Sequence, residues 1–343
     1  MSKAAASTKT KTPVKEILLN NSLYLILVAI LIVTIVLEPK FVSARNITNI
    51  LTMASTRSII AMGIGGLIII NGTDLSAGRV VGCCCAVSAA LLQSQDYASK
   101  MFPSLGKVPL VAGWAASVCV AVIFAAIIGF CVAFLNMHAF IASLGIQLAA
   151  YGLLCLFMDM GGNNGQPISS LDPRYDTFVK GSFNIFGVKI PYLILYMIIV
   201  AVIMYIVWNK TVLGKNMFAI GGNMEAATVS GINIKLYIML IFILSGICVG
   251  TGSFLEASRI GTVTATTGQQ YEFDAISGCV IGGVSFAGGV GTIPGVILGV
   301  IILQTINYCL YFLGVSSYYQ YIARGLIIII AVAIDVRKYV KKK

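Results

Sequence analysis

An all-α polytopic integral membrane protein, one bundle of about ten transmembrane helices, is the fold this sequence predicts, and three observations predict it. Apolar residues make up 58% of the chain, charged residues only 10%, and the mean hydropathy is +0.95; soluble domains hold about 45 to 50% apolar residues. Apolar runs of about 20 residues, enough to carry a helix across about 30 Å of hydrocarbon, recur along almost the whole sequence. These runs leave no separate soluble domain.

Counted between polar breaks, the spans are 17–37, 47–70, 75–93, 108–135, 139–160, 191–208, 236–257, 275–290, 293–313 and 318–336. The first is too long for a signal-peptide core, and Leu37-Glu38-Pro39 is not a small-residue cleavage site, so it stays as a span. Arg57 interrupts the second, and the eighth is Gly-rich and only about 16 residues long, so eight or nine crossings are the alternative. Lys3, Lys9, Lys11 and Lys15 precede the first span; Arg337, Lys338, Lys341, Lys342 and Lys343 follow the last. These clusters supply much of the formal charge of +11 and predict that both termini are cytoplasmic, which agrees with an even span count. The division is a basic tail 1–16, a transmembrane domain 17–336 and a basic tail 337–343. On this count 161–190 and 258–274 are extracytoplasmic, and 209–235 is cytoplasmic.

Several function classes are excluded. The basic residues flank spans and form no folded surface with aromatic platforms, which argues against nucleic acid. The nine cysteines sit almost entirely within apolar runs with no metal-ligand spacing. Cys83, Cys84 and Cys85 on one helix point about 100° apart and cannot converge on an ion. His138 is the sole histidine, so no Ser/His/Asp or Cys/His arrangement is built around a second one. Gly214-Lys215-Asn216 lacks the upstream glycine and the hydroxyl of a phosphate loop. The chain is expected to be neither an enzyme nor its own ATPase, and to hold no metal or cofactor; ATP and Mg belong to a partner. The sequons at Asn46, Asn71 and Asn209 are chance matches in or beside a membrane.

Glycines four apart, Gly78 with Gly82 and then Gly291, Gly295 and Gly299, predict close helix packing. The runs 75–82 and 285–292 are alike and lie five spans apart, which suggests a five-plus-five internal repeat.

The ionisable residues in or near spans are Arg57, Asp74, Arg79, Asp159, Glu256, Arg259, Glu272, Asp274 and Arg324; one at the bilayer centre costs about 2.5 to 3.5 kcal/mol. Most lie near span ends, where snorkelling or interface placement explains them. Arg57 is the exception and a candidate to line a path. In 71–78, Asn71-Gly72 breaks one helix and Asp74 caps the next by accepting from the amides of Ser76 or Ala77. The segment is either a capped re-entry or cavity-lining broken backbone. Gln147, Tyr151, Gln304, Asn307 and Tyr308 are candidates for a solute path, each with interhelical hydrogen bonding as its other reading.

The polar stretch 209–235 carries helix signals of its own. Asn223 is a good N-cap, Glu225 suits the positive end, and Gly231 is a natural stop, so Met224 to Ser230 predicts a helix of about two turns, roughly 10 Å long. Gly221-Gly222 precede it, and Ala226 and Ala227 offer a flat face to a partner's groove. A chain that moves solute without fuel takes force from a soluble partner, and this segment is where that partner would grip. An ordinary surface helix is the other reading.

The segment AIGGNMEAATVSGINI (219–234) resembles the cytoplasmic coupling segment of sugar-type ABC importer permeases, and NGTDLSAGR (71–79) is similar to that family's Gly-Ile-Asp-Leu-Ser-Val-Gly. The blocks at 255–268, 271–292 and 306–322, with the Thr73 and Ala77 variants, look most like the galactose/methyl-galactoside branch. The likeness runs from about residue 17 to the C-terminus. It implies a bacterial inner-membrane homodimer that moves a monosaccharide by alternating access. It also implies ATP-binding subunits, with tandem ATPase halves expected, and a secreted sugar-binding protein. Gly221, Gly222, Asn223, Glu225, Ala226, Ala227, Ser230 and Gly231 are then the coupling residues, and Arg57, Asp74, Ser76, Gln147, Tyr151, Gln304, Asn307 and Tyr308 the path or gate. Met224 stands where the family often has proline, and Cys83 to Cys85 replace small apolar residues. Permeases for ribose, xylose, a signalling furanose or branched-chain amino acids remain alternatives. A secondary transporter would place carboxylates mid-span beside broken helices, and few acids here are mid-span.

Overall fold

The computed structural model of the chain describes residues 22–185 and 188–340. The basic tail 1–16, the start of the first span and Lys341 to Lys343 lie outside the described residues. The helices are α1 (Ser22–Leu37), α2 (Ala44–Ile69), α3 (Ala77–Leu91), α4 (Leu110–Phe134), α5 (Ala139–Asp159), α6 (Pro173–Lys180), α7 (Tyr192–Lys210), α8 (Val212–Gly222), α9 (Met224–Val229), α10 (Ile234–Ile260), α11 (Tyr271–Ile281), α12 (Ile293–Phe312) and α13 (Ser317–Val340). An antiparallel hairpin, β1 (Ser182–Ile185) and β2 (Val188–Pro191), joins α6 to α7. Among the described residues, α2, α4, α5, α7, α10 and α12 are long and apolar enough to cross a membrane, and α3 and Leu27–Leu37 of α1 are shorter apolar helices. Helices are the form such a chain must take, because hydrocarbon offers the backbone no partner outside its own segment.

The eighth sequence span, 275–290, needs correction. Helix α11 begins at Tyr271 and stops at Ile281, only 11 residues. Gly283 is left-handed at φ 85°, and its N–H donates to the Val280 carbonyl at 2.9 Å while the Val284 N–H donates to the Cys279 carbonyl at 2.9 Å. That pair of bonds is a glycine stop, so the Gly-rich run reads as a terminator followed by a loop to α12.

Helix α10 forms the centre, packed along α4 and crossing α2 and α3. Small residues allow the close approach: a Cβ built on Gly250 would lie 2.5 Å from the Val118 Cα, and one on Gly246 would lie 2.9 Å from the Ala125 Cβ. Helix α2 is the interior span at 89% buried, while α5 and α7 are 22% buried and form the outer wall. The glycines singled out in the sequence serve the same purpose. Gly295 and Gly299 meet the backbone of Gly282 and Gly278, and Gly291 meets Ile69.

The two ends differ. At one, α8 and α9 gather with the 70–76 loop and the 282–292 loop. At the other, α6, the hairpin and the segments 94–107, 161–172 and 261–270 are stitched by the bridges Gln93–Leu171 and Ile168–Val263. There Asp172 caps α6, accepting from the Arg174 amide at 2.8 Å and from its guanidinium at 2.7 Å. The Arg174 guanidinium holds the Asp172 carboxyl below the usual carboxylate range.

After α10 ends at Gly261, in a left-handed turn at φ 73°, the chain dips back into the bundle. Gly78 and Gly82 leave space for the backbone of Thr267 and Gly268, level with Ala150 and Leu154 of α5. Non-helical backbone at this depth must satisfy itself. It does: Thr267, Gln269 and Tyr271 amides donate to the Thr264, Thr266 and Gly268 carbonyls at 3.0 to 3.1 Å, and the Thr264 amide donates to Thr267 Oγ1 at 2.9 Å. A methyl group on Gly78 would overlap the Glu272 carboxylate and sit 2.6 Å from the Gly268 carbonyl oxygen. Gly78→Ala is therefore expected to destabilise the protein by about 1 to 3 kcal/mol, read as a lower melting temperature in detergent. Gly152→Ala, with nothing within 4 Å of the new methyl, should leave it unchanged or slightly raised.

Candidate functional site

Arg57 sits midway along α2, nine-tenths buried. Its Nη2 lies 3.8 Å from Glu256 Oε1 and its Nε lies 3.8 Å from Asp274 Oδ2, and its guanidinium covers the Tyr271 ring. Glu256, fully buried in the last turns of α10, accepts from Arg259 Nε at 2.6 Å and Nη2 at 2.8 Å, from Tyr271 Oη at 2.6 Å and from Thr56 Oγ1 at 2.8 Å. Arg324 of α13 places Nη1 3.7 Å from Asp274 Oδ1 and donates from Nε to Asn307 Oδ1 at 3.2 Å. An isolated carboxylate is not tolerated at this depth; two guanidiniums, a phenol and a hydroxyl make it tolerable.

Snorkelling, expected for Glu256, Arg259, Glu272, Asp274 and Arg324 from their nearness to span ends, does not describe these residues. Glu256, Glu272 and Asp274 are buried. The physical reason is the dip of 261–270, which turns the last turns of α10 and the first turn of α11 inward against α2. The i, i+3 spacings Glu256/Arg259 and Tyr271/Asp274 were the available sequence signal, since each pair shares a helix face.

Beside this network, α2, α11, α12 and α13 enclose a cavity of about 350 Å³. Of the sequence-predicted path residues, Arg57, Gln304, Asn307 and Tyr308 meet in its wall, joined by Tyr271 and Asp274. Gln269, Gln320 and Arg324 complete the polar lining; Gln269 and Gln320 carried no signal in the sequence. Among the described residues, Arg57 Nη1, Asp274 Oδ1, Gln304 Nε2 and Asn307 Nδ2 are buried without a hydrogen-bond partner. Tyr308 is held in place, donating to Asn46 Oδ1 at 2.9 Å and accepting from Asn49 Nδ2 at 3.2 Å.

The other path candidates lie elsewhere. Asp74 closes a turn just before α3, accepting from the Ser76 amide at 2.8 Å and hydroxyl at 2.6 Å, at the end that carries 209–235. Gln147 and Tyr151 lie on α5, away from the cavity. Tyr151 is 41% exposed and carries the Arg79 guanidinium 4.3 Å above its ring.

At the 209–235 end, Asn223 closes α8 and opens α9, its Oδ1 accepting from the Ala226 amide at 2.9 Å. The Gly231 amide donates to Thr228 and the Ile232 amide to Ala227, at 2.9 and 3.1 Å, with Gly231 left-handed at φ 82°. The predicted helix forms, with one correction. Ala227 is buried against the bundle, and the outward face is Glu225, Ala226, Thr228, Ser230 and Val229, the last 90% exposed. A six-residue helix lying flat must turn one side inward, and Ala227, with only a methyl group, fits there. Gly222 is open to space, whereas Gly221 packs against the Ile69 carbonyl and the Gly289 amide. Gly289 N–H donates to that same Ile69 carbonyl at 2.9 Å, so the ends of α2, α8 and the α11–α12 loop meet at one point.

A family model described as the permease component of branched-chain amino acid transport systems matches residues 46–332. The chain belongs to this permease family. Among the permease's relatives, the galactose/methyl galactoside import permease MglC of Haemophilus influenzae is 45% identical over 328 residues, 96% of this chain and 97% of the relative. MglC of Escherichia coli is 45% identical over 94% of this chain and 96% of its own. The ribose import permease RbsC of Bacillus subtilis is 32% identical over 92% of each. No solved structure matches the permease.

Removing one partner from a buried ion cluster strands the others, at a cost of about 3 to 5 kcal/mol. Glu256→Leu is therefore expected to lower the permease's stability by that amount in denaturation by detergent or heat. Lys180→Ala, which breaks the exposed 3.0 Å pair with Asp176, should cost at most about 1 kcal/mol.

Proposed function

We propose that this permease is the membrane-spanning subunit of an ATP-binding cassette importer for galactose- or methyl-galactoside-type monosaccharides. One observation carries the substrate class: identity is 45% over nearly the full length of both chains for galactoside import permeases, and 31 to 33% for ribose and allose permeases. A separate ATP-binding subunit, of tandem ATPase halves, supplies ATP and Mg; a secreted sugar-binding protein delivers substrate. The chain sits in a bacterial inner membrane with both termini cytoplasmic. Ten crossings and a five-plus-five repeat are the reading kept for the bundle, with α11 and the dip before it making up one interrupted crossing.

The coupling face is the outward side of α9, Glu225, Ala226, Ser230 and Val229, between the caps Asn223 and Gly231 and after Gly221-Gly222. Force applied there reaches the transmembrane helices through the contact of Gly221 with Ile69 and Gly289. In alternating access, that contact shifts α2 and the α11–α12 loop together. A second copy covers the face of Arg79 and Tyr151: Arg79, half-buried in the first turn of α3 and stacked on Tyr151 of α5, is costly beside hydrocarbon, and a homodimer would bury it.

In vesicles carrying the permease with its ATPase and binding protein, galactose uptake is expected to require ATP and to be insensitive to protonophore at constant ATP. Uptake by the permease alone under a pH or sodium gradient would overturn the reading. Ala226→Arg is expected to insert and fold normally, because its side chain points away from the bundle, yet to lose ATPase association and at least nine-tenths of transport. Wild-type transport by that variant would show that α9 is an ordinary surface helix.

A further inference from the structure

The cavity enclosed by α2, α11, α12 and α13 has the chemistry of a ligand site, and its wall states what kind of ligand. Four buried atoms on its lining residues have no hydrogen-bond partner: Arg57 Nη1, Gln304 Nε2 and Asn307 Nδ2 are donors, and Asp274 Oδ1 is an acceptor whose nearest charge is the Arg324 guanidinium at 3.7 Å. The residues that carry them are each at least nine-tenths buried, where a polar atom ordinarily has a bonding partner. A simple anion would satisfy the donors and be repelled by Asp274, and a simple cation would satisfy Asp274 alone. A hydroxyl group donates once and accepts twice, so an array of hydroxyls answers both needs. The wall holds two guanidiniums, Arg57 and Arg324, and one carboxylate, Asp274, which lies 3.8 and 3.7 Å from them, and Arg57 is paired with Glu256 as well at 3.8 Å. Each guanidinium in the wall thus already has a carboxylate within 4 Å and does not depend on a charged ligand for one.

Size and shape agree. About 350 Å³ is room for on the order of ten waters and falls within the range of about 300 to 1,000 Å³ usual for small-molecule sites. The Tyr308 ring, fixed through its hydroxyl by Asn46 and Asn49, and the Tyr311 ring, 71% exposed at the rim, offer flat apolar faces to the C–H side of a pyranose. We infer that this cavity is a monosaccharide site within a single chain, where a neutral hexose bonds through its hydroxyls to Arg57, Asp274, Gln304 and Asn307 and rests on Tyr308. The choice of hexose rests on the galactoside reading above; the hydroxyl-binding character rests on the wall alone. The site lies between mid-membrane and the end that carries α6 and the hairpin, far from α9, so it would hold sugar released at that end before the bundle rearranges.

The test is saturation-transfer NMR of D-galactose on the purified full-length permease in lipid nanodiscs, with neither binding protein nor ATPase, beside uptake by the complete transporter. Gln304→Met and Asn307→Leu remove the amides at nearly constant volume, and Tyr311→Ala alters only the exposed rim, so at least one variant folds. Wild type and Ala226→Arg are expected to give the same sugar signal. Gln304→Met and Asn307→Leu should weaken apparent affinity at least tenfold, Tyr311→Ala severalfold, and each should raise the KM of uptake by a similar factor. No signal from wild type, or equal signals from wild type, Gln304→Met and Tyr311→Ala, overturns the site, even where ATP-driven galactose uptake proceeds. If galactose is not transported, but another aldohexose gives a signal that the variants lose, the site stands and the galactoside reading falls.

Discussion

Hydrocarbon gives a buried carboxylate nothing to bond to, and the half of the bundle that carries α6 and the hairpin is arranged around meeting that demand at Glu256. Side chains from α2, α10 and α11 converge on its two oxygens: Thr56, Arg259 and Tyr271 by hydrogen bond, Arg57 as an ion pair. Those bonds fix where α11 starts, because Tyr271 is its first residue. They also fix where Arg57 points, and hence the second pairing with Asp274 and the position of Arg324 beyond it. A cavity with a polar wall follows from this chain of dependencies, since the guanidiniums and the Asp274 carboxylate are held by each other, with Arg57 Nη1 and Asp274 Oδ1 left without a hydrogen bond.

The convergence is possible only because backbone comes in close. Gly78 and Gly82 let the 261–270 segment lie against α3, and that dip shortens the path so that 11 residues of α11 suffice before the stop at Gly283. Interrupted helices expose backbone that hydrocarbon cannot satisfy; here the threonines of 264–267 and the turn bonds among them close the account locally. The small residues and the polar network are thus parts of one solution. The glycines admit the segment, and the network holds it.

At the other end the same economy links the surface to the interior. The single carbonyl of Ile69 receives the Gly289 amide and packs against Gly221, so the last turn of α2, the base of the α9 segment and the loop into α12 share one contact. Helix α2 runs from this contact to Arg57. A displacement of α9 therefore has a rigid element, 26 residues long, along which to reach the network and the cavity beside it.

Much of this was legible in the sequence. Composition and apolar runs determined a helical membrane bundle, because insertion in hydrocarbon leaves the backbone no other choice. Asn223 and Gly231 bounded α9, because caps act within a few residues, and the same holds for the Asp74 turn. Arg57, Gln304, Asn307 and Tyr308 could be named as polar residues inside apolar runs. Their meeting could not be read there, nor could the burial of Glu256 and Asp274, the early end of α11 or the inward face of Ala227. Those depend on which helix lies beside which, and on a segment between spans folding back to membrane depth. Local signals report backbone conformation within a turn or two, and can suggest the Glu256/Arg259 pair; the other partners of that carboxylate, Thr56 200 positions away among them, are chosen only by the packed bundle.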